Sequence, residues 1–468
     1  MYKIFFNQAK NQYELKEMVR MFLSEAEYEL TEEDIRSGGT AESDAEELFI
    51  RIPDEITEKN EAKRFLYNQL SSITGKQPDW GILTGVRPAK LTGELEKRYG
   101  SPEAADVLKQ EFLVAPSKID LLLETRAVQR DLAAPAEPEA VGLYLGIPFC
   151  PTRCVYCSFT SNPADETKIE QYLETLEKEI EYTGRRMHAC GMYPDSIYIG
   201  GGTPTTLSAE QLDRLLGKIN AAFDCSRLRE YTVEAGRPDT ITKEKLQAIL
   251  QHGAERISIN PQSMKEKTLE RIGRKHTPEQ IERAFLLAKQ VGVPIVNMDL
   301  IAGLPGEIPE DFLRSLQRVL ELGPENITVH TLAVKRASKL RELDETYCYR
   351  QGQTVREMLE RGRVLLRDAG YRPYYLYRQK QMTGNFENVG YAKPGTESLY
   401  NIKIMEENQT VVALGAGGIS KFYEPKENRL ERVPNVSNYE IYMERIDEML
   451  QRKEEGIFAL LHKEKQEE

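Results

Sequence analysis

Six short apolar segments alternate with amphipathic segments through the middle of the chain, and this alternation is the strongest constraint on the fold. The predicted strands cover residues 141–147, 196–199, 230–234, 256–259, 295–301 and 326–331. Each of the first five precedes a helical pattern, such as residues 168–186 or 279–291. Repeated βα units form parallel sheets, because each helix returns the chain to the edge where the next strand begins. The sequence therefore predicts an α/β fold, either an open doubly wound sheet or a partial (β/α)6 barrel.

Different patterns flank these six units. Residues 1–135 combine predicted strands at 2–6 and 48–52 with an amphipathic helix at 14–22, which is typical of a small α+β domain. Residues 132–140 contain two prolines and suit a linker. After residue 370 come Tyr- and Gly-rich segments and a helix with apolar side chains at Tyr442, Ile446, Met449 and Leu450. We predict three domains: 1–135, an α+β domain; 136–370, the barrel; and 371–468, a C-terminal domain that caps the barrel mouth and covers the substrate.

Charge and hydropathy exclude several functional classes. The net charge of −12 opposes binding to a phosphate backbone, and we find no basic run interleaved with aromatic residues. We therefore expect no nucleic-acid partner. A membrane span needs about 20 consecutive apolar residues, and a secretory signal needs a longer apolar run than the one at positions 4–6. We expect a cytoplasmic protein.

Three of the six cysteines lie within eight residues, directly after the first barrel strand. Cys150, Cys154 and Cys157 form a CxxxCxxC pattern, which lets one loop place three thiolates around a 4Fe-4S cluster and leaves one iron open. Structural zinc is the alternative, but it needs a fourth protein ligand at short spacing. His188 and Cys190 lie more than 30 residues downstream. The pattern favours the cluster.

A glycine-rich segment follows the second barrel strand. In residues 200–204 (GGGTP), the missing side chains let the backbone approach a ligand, and Thr203 offers a hydroxyl. A glycine-rich loop alone is a weak signal. One βα unit after a CxxxCxxC loop it is a strong one, because the ends of parallel strands open on the same face.

These motifs together resemble the radical S-adenosylmethionine (SAM) superfamily and, within it, the oxygen-independent coproporphyrinogen III oxidase family. The signatures are YLGIPFC at 144–150, GGGTPT at 200–205, RISINPQ at 256–262 and NMDLIAGLPG at 297–306. The N-terminal extension, EAGRPD at 234–239 and the Gly-rich C-terminal segment resemble the subgroup called HemZ, a coproporphyrinogen dehydrogenase type.

The resemblance implies a radical SAM partial barrel in which Cys150, Cys154 and Cys157 hold the cluster and SAM occupies the open iron. The residues that match further cofactor contacts are Tyr144, Tyr156, Gly201, Gly202, Thr203, Glu234, Gln262, Arg274, Asp299 and Ala333. Simpler roles compete with some of these: Glu234 or Asp299 as a helix cap, Arg274 in a surface ion pair, and Tyr144 as barrel packing.

The resemblance also implies an activity and partners. The family oxidatively decarboxylates coproporphyrinogen III to protoporphyrinogen IX in haem biosynthesis, with a reduced cluster, SAM and an electron donor such as flavodoxin or ferredoxin. A substrate with four carboxylates needs cations. Arg237, Lys335 and Arg336 are the candidates, with solvated surface charge as the alternative.

One position departs from the family pattern. The oxidases carry a further cysteine two positions after the third cluster ligand, where this chain has Phe159. Phenylalanine there is typical of haem chaperones and of porphyrin methyltransferases. Another radical tetrapyrrole reaction, haem transfer with His330 as a candidate haem ligand, and radical chemistry unrelated to porphyrins therefore stay open beside decarboxylation.

Overall fold

An 11-stranded sheet organises most of the computed structural model, which describes residues 2–5, 12–31, 48–53, 55–130, 132, 137–157, 161–163, 165–334, 340, 351–379 and 382–460. The strands are β1 (Tyr2–Phe5), β2 (Tyr28–Thr31), β3 (Leu48–Arg51), β4 (Ala140–Ile147), β5 (Tyr193–Gly201), β6 (Glu230–Glu234), β7 (Arg256–Ser258), β8 (Ile295–Ala302), β9 (Asn326–Thr331), β10 (Arg372–Arg378), β11 (Glu387–Ala392), β12 (Val411–Leu414), β13 (Ile419–Glu424) and β14 (Arg429–Pro434).

The helices lie between and around these strands. They are α1 (Gln12–Phe22), α2 (Lys59–Thr74), α3 (Pro88–Tyr99), α4 (Ser101–Gln110), α5 (Pro116–Gln129), α6 (Glu166–Ala189), α7 (Ala209–Ala222), α8 (Lys243–Gln251), α9 (Glu266–Arg271), α10 (Pro278–Val291), α11 (Pro309–Leu322), α12 (Gly352–Asp368), α13 (Leu399–Glu406), α14 (Tyr439–Glu444) and α15 (Ile446–Lys453). In the described part of the chain, no helix is both long and apolar enough to cross a membrane.

The six predicted barrel strands are confirmed as β4 to β9. They pair in parallel and in chain order, with β12 beside β4 and β11 beside β9. One row of residues in register, Ile199, Val233, Ile257 and Val296, is buried and shares its core with the flanking helices. The next row begins with Glu234 and continues through polar side chains on the opposite face. The helices therefore cover the apolar face and leave a polar face for a site.

A buried charge network closes the end of the sheet where the strands begin. The Glu230 carboxylate accepts hydrogen bonds from Ser398 Oγ (2.9 Å) and from the backbone N–H of Leu399 (2.6 Å), at the start of α13. A negative charge at a helix N-terminus is stabilising, since it meets unpaired N–H groups. Arg256 lies 3.7 Å from Glu230 and donates to the Thr396 carbonyl oxygen (2.9 Å). These contacts place α13 beneath the polar face.

The C-terminal strands extend the barrel sheet at both edges. β10 and β11 add antiparallel strands beyond β9, whereas β12 adds a parallel strand to β4 and leads to β13 and β14. The expected single helix around Tyr442 is wrong in its continuity, because Arg445 has a non-helical backbone and separates α14 from α15. A substrate-covering role for residues 371–468 stays a prediction.

The N-terminal strands form a sheet of their own. β1 lies between β2 and β3, and α1 and α2 pack on this sheet around a separate buried core that includes Ile4, Leu15 and Leu66. β2 was missing from the predicted elements. Helices α4 and α5 instead contribute Leu108 and Leu122 to the core of the large sheet. The domain boundary near residue 135 stays a prediction.

Glu179 connects α6 to the C-terminal strands from a fully buried position. Its carboxylate accepts hydrogen bonds from Gly415 N (2.7 Å), Tyr442 Oη (2.6 Å) and Asn435 Nδ2 (2.9 Å), and it pairs with the equally buried Lys453. Burial alone would raise the pKa of Glu179, but Lys453 and these donors hold the pKa below its ordinary value. The ionised pair fixes the turn after β12 against the barrel.

We predict that Lys453→Met destabilises the fold by about 3–5 kcal/mol, because the Glu179 charge would stay buried without its cation. Urea unfolding followed by circular dichroism measures the change. Arg452→Met is the matched control, since its pair with Glu448 is exposed and contributes about 0–1 kcal/mol. Equal stability losses in the two variants would contradict the role of the buried pair.

Candidate functional site

The loop after β4 carries the three clustered cysteines. Backbone hydrogen bonds fix it at three points: Cys150 N donates to Asn162 O (3.2 Å), Val155 N to Ile272 O (3.0 Å) and Cys157 N to Cys154 O (3.2 Å). Within the described residues, no three His, Cys, Asp or Glu side chains already form a closed metal-binding group. A cluster would be held by the three thiols of this loop.

The thiol donors suit an iron–sulfur cluster better than a structural zinc site. Burial raises the pKa of the Cys150 thiol to about 11, so bound metal has to supply the positive charge that keeps the thiolate ionised. The alternative zinc ligands His188 and Cys190 lie at the C-terminal end of α6, just before β5 begins. This is the opposite end of the sheet from Cys150, and the zinc alternative loses its fourth ligand.

The glycine-rich segment docks directly on the cysteine loop, as the motifs predict. Gly202 N donates to Ile147 O (2.7 Å), and Thr203 N donates to Phe149 O (2.8 Å). A Cβ atom on Gly202 would lie 2.5 Å from the Phe149 carbonyl oxygen, so only glycine fits. Thr203 Oγ1 lies 3.3 Å from Cys150 Sγ. The two motifs therefore form one continuous surface.

Glu234 lies at the end of β6, beside this surface. Tyr198 donates a hydrogen bond to its carboxylate (2.5 Å), and the Tyr198 ring stacks on Tyr400 of α13 at 4.7 Å between ring centroids. The predicted residue Tyr144 stacks on the other side of Tyr198, at 6.3 Å. Burial raises the pKa of Glu234 to about 7, and repulsion from Asp299 adds to this while the Tyr198 bond opposes it. The helix-cap alternative for Glu234 is wrong, because the next helical turn, Pro238–Thr240, is preceded by Arg237.

Tyr198 and Tyr400 were not among the predicted site residues. Tyr198 could have been found from the period of two along β5, which places it on the face of Gly200. Tyr400 carried no such signal, since its contact depends on where α13 docks.

Asp299 lies in the middle of β8 with polar neighbours on both sides. Asn297 Nδ2 donates to its carboxylate (2.7 Å), and His330 Nε2 lies 3.5 Å from it. Burial alone would raise the pKa of Asp299, but His330 and Asn297 hold the pKa below its ordinary value. Because Asp299 lies inside a strand, the alternative role as a helix cap is wrong for Asp299 as well. The ring of His330, the candidate haem ligand, is directed at Asp299.

Gln262 combines an uncommon backbone conformation with a buried side-chain oxygen. Its φ of +67° lies in the left-handed region, which residues other than glycine rarely adopt. Its backbone forms a parallel bridge to one edge of β8 around Leu300, donating to Asp299 O (2.8 Å) and accepting from Ile301 N (3.0 Å). Its side-chain Oε1 is buried and has no hydrogen-bond partner among the described residues. An unpaired buried acceptor suits a ligand donor such as a hydroxyl.

Arg274 links the cysteine loop to the ends of β6 and β7. It is buried, and it donates to Asn260 O (2.6 Å), Gly236 O (3.3 Å) and Tyr156 Oη (3.3 Å). The surface ion pair considered for Arg274 is therefore wrong. Ala333 lies just beyond β9, where it forms a short antiparallel bridge with Met382. The predicted contacts lie at or just beyond the carboxyl ends of the strands or on the cysteine loop, with three exceptions. Tyr144 and Asp299 lie inside β4 and β8, and Arg274 follows α9 and reaches the strand ends through its side chain.

Arg237 differs from its predicted role as a substrate-binding cation. Its side chain is only 3% exposed and is paired with Asp239, so neither a substrate carboxylate nor bulk water reaches it. Lys335 and Arg336, the other two candidates, lie outside the described residues. Phe159, the position that departs from the family pattern, also lies outside the described residues.

Comparisons with known proteins agree with this arrangement. Residues 144–319 match the model of the radical SAM superfamily. The chain is 41% identical over 397 residues to the oxygen-independent coproporphyrinogen-III oxidase-like protein HemZ of Bacillus subtilis, covering 83% of this chain and 79% of that protein. It is 31% identical over 282 residues to the haem chaperone HemW of the same organism, covering 58% and 69%. The coproporphyrinogen III oxidase structure (HemN) from Escherichia coli superposes with a TM-score of 0.53 at 22% identity over 68% of this chain and 72% of that chain, which shows a shared fold.

We predict that Gly202→Ala weakens SAM binding at least about tenfold, or 1.4 kcal/mol. The added methyl group meets the Phe149 carbonyl oxygen and pushes the glycine-rich segment away from the cysteine loop. Equilibrium dialysis with labelled SAM measures the dissociation constant. Gly85→Ala is the control, because its Cβ meets nothing within 4 Å. Unchanged affinity in Gly202→Ala would remove this segment from the SAM site.

We also predict that SAM binds more tightly as the pH rises through about 7, because in the ionised state the Glu234 carboxylate would accept a hydrogen bond from the SAM amino group. If only the ionised form binds, the dissociation constant falls about tenfold between pH 6 and pH 8. Glu234→Gln should flatten this dependence, whereas the exposed Glu244→Gln should keep it. A pH profile that survives in Glu234→Gln would assign the titration to another group.

Proposed function

We propose that this protein oxidatively decarboxylates coproporphyrinogen III to protoporphyrinogen IX. The chain belongs to the radical SAM superfamily and, within it, to the family of oxygen-independent coproporphyrinogen-III oxidase-like proteins. The observation that carries the proposal is the continuous relationship to HemZ, which includes segments outside the radical SAM match. The HemW relationship covers less of the chain. The substrate is thus assigned from the relative named for a coproporphyrinogen oxidase.

Members of the superfamily use a 4Fe-4S cluster and SAM. When bound, these cofactors supply one-electron chemistry that removes a hydrogen atom from an unactivated carbon. In the proposal, Cys150, Cys154 and Cys157 hold the cluster. Three ligands rather than four leave a coordination position for SAM.

The remaining residues would bind and orient SAM. The backbone of Gly201 and Gly202 lies flat against the cysteine loop and offers its polar groups at close range. Glu234 would accept a hydrogen bond from the SAM amino group, and Tyr198 holds that carboxylate in place through its 2.5 Å hydrogen bond. Gln262 offers an unpaired buried oxygen to a hydroxyl.

Aromatic rings on the polar face below these residues would exclude bulk water from the reacting carbon. Tyr198 and Tyr400 stack between the site and the Glu230 network, so aromatic rings form its floor. Radical intermediates react with whatever reaches them, and a closed floor leaves the mouth as the entry for substrate. An electron donor such as flavodoxin or ferredoxin would supply the reducing electron.

Haem transfer is the second candidate, supported by the 31% identity to HemW. A chaperone would capture haem in a fixed ratio and form no new porphyrin. Because Asp299 lies 3.5 Å from His330, a haem ligand at this position would have to exchange that partner for iron.

We expect cluster-reconstituted protein to form both 5'-deoxyadenosine and protoporphyrinogen IX when it is incubated without oxygen with SAM, dithionite and coproporphyrinogen III. Mass spectrometry measures both products. Cys154→Ala should abolish them, whereas Cys225→Ala, whose thiol follows α7 and lies outside the cysteine loop, should keep them. 5'-Deoxyadenosine without a porphyrin product would overturn this substrate but keep the radical chemistry. Neither product, together with stoichiometric haem binding lost in His330→Ala, would favour the chaperone.

A further inference from the structure

A buried arginine, Arg237, faces the cysteine loop from the end of β6, and its carboxylate partner Asp239 lies at the surface with a side chain that is 28% exposed. Arg237 Nη1 lies 4.0 Å from Cys154 Sγ and donates to Thr152 Oγ1 (3.1 Å). Two residues later, Asp239 accepts from the other edge of the guanidinium, at 2.9 Å from Nε and 3.0 Å from Nη2. We propose that Arg237 raises the reduction potential of the cluster and that Asp239 positions Arg237 and moderates its charge.

The contacts of Arg237 with Asp239 on one edge and with the cysteine loop on the other fix the orientation of its guanidinium group. Its Nε and Nη2 edge is fully occupied by the Asp239 carboxylate, which leaves Nη1 directed at the cysteine loop. A planar, bidentate pair of this kind holds orientation as well as charge. The positive end of the pair therefore lies nearer to the Cys154 sulfur than the negative end.

The backbone under this pair is anchored independently of it. Thr240 Oγ1 bonds to the Arg237 carbonyl oxygen (2.8 Å) and to Thr205 Oγ1 (2.7 Å) in the turn after the glycine-rich segment. Lys245 Nζ donates to the carbonyl oxygens of Thr205 (2.7 Å) and Thr240 (3.1 Å). Because these bonds hold the turn, side-chain substitutions at Arg237 and Asp239 change charge while the loop keeps its position.

Two further residues complete the surroundings of the pair. His276 has a fully buried side chain and lies 3.7 Å from Asp239, and burial lowers its pKa, so it adds no positive charge at neutral pH. Arg274 is a second cation near Cys154, but it bonds carbonyl oxygens and Tyr156 rather than a carboxylate. Arg237 is thus distinguished by a dedicated counter-ion.

The sign of the effect follows from electrostatics. Reduction adds an electron to the cluster, and a positive charge near a ligating sulfur stabilises the more negative state. Net charge and hydrogen bonds to the sulfurs set iron–sulfur potentials, and the burial of the Arg237 side chain limits the screening of its charge by salt. Arg237 should therefore make the cluster easier to reduce, and Asp239 should limit that gain.

The test is a potentiometric titration of the reconstituted full-length protein, monitored by electron paramagnetic resonance, without SAM and without porphyrin. We expect Arg237→Gln to shift the midpoint potential to more negative values and Asp239→Asn to shift it to more positive values. Arg283→Gln is the control, because this exposed arginine on α10 bonds only its own helix in the described contacts. Iron and sulfide analysis establishes equal cluster loading.

Opposite shifts in the two variants support the proposal, since a purely structural role would move both in the same direction. Equal shifts, or none in either variant, would overturn it. If Arg237→Gln fails to load a cluster, Arg237→Lys takes its place because lysine keeps the positive charge. A midpoint potential of Arg237→Lys close to the wild-type value, together with a positive shift in Asp239→Asn, then supports the proposal. Absence of the positive shift in Asp239→Asn would overturn it. The inference rests on the cluster alone, so failure of coproporphyrinogen turnover leaves this measurement unaffected.

Discussion

Two backbone hydrogen bonds at the ends of β4 and β5 hold the candidate site together. They join Gly202 to Ile147 and Thr203 to Phe149, so the glycine-rich segment cannot separate from the cysteine loop without losing both. Parallel neighbouring strands end at the same edge, and this pairing converts two distant sequence motifs into one surface. Glycine at 202 is required because a side chain would displace the Phe149 carbonyl oxygen.

Buried charge organises the space around that surface. The Glu230 network closes the lower end of the strands, the Glu179 and Lys453 pair fixes the turn after β12, and Arg274 connects the cysteine loop to two strand ends. A buried charge is costly unless it is paired and hydrogen-bonded, so each network fixes the elements it joins. Glu234 is the informative exception: Tyr198, the Gly201 backbone and the nearby His330 offset its burial only in part, so its pKa is raised to about 7.

Different parts of the molecule are expected to determine the cofactor chemistry and the choice of substrate. The cysteine loop, the glycine-rich segment and the strand ends are features of the radical SAM superfamily, to which the chain belongs. Substrate choice depends on the mouth of the barrel. There the turn between β10 and β11 lies beside Leu332, to which Thr383 N donates a hydrogen bond (3.0 Å), and the Gly415 turn lies beside β4. A substrate-covering role of the C-terminal strands would be consistent with these positions and stays a prediction.

The sequence by itself determined the six parallel strands, the cysteine and glycine motifs and the family, because periodicity and short motifs are local properties of the chain. It also identified Gln262, Arg274 and Asp299 as candidate SAM contacts through the family pattern, although Asp299 lies inside β8 rather than at its end. Only the tertiary structure showed that Arg237 is a buried partner of Asp239, that Tyr198 and Tyr400 stack beside Glu234, and that β10 to β14 extend the barrel sheet. These facts depend on contacts between residues far apart in sequence. The docking of helices and strands decides which of those residues are buried and which charges are paired.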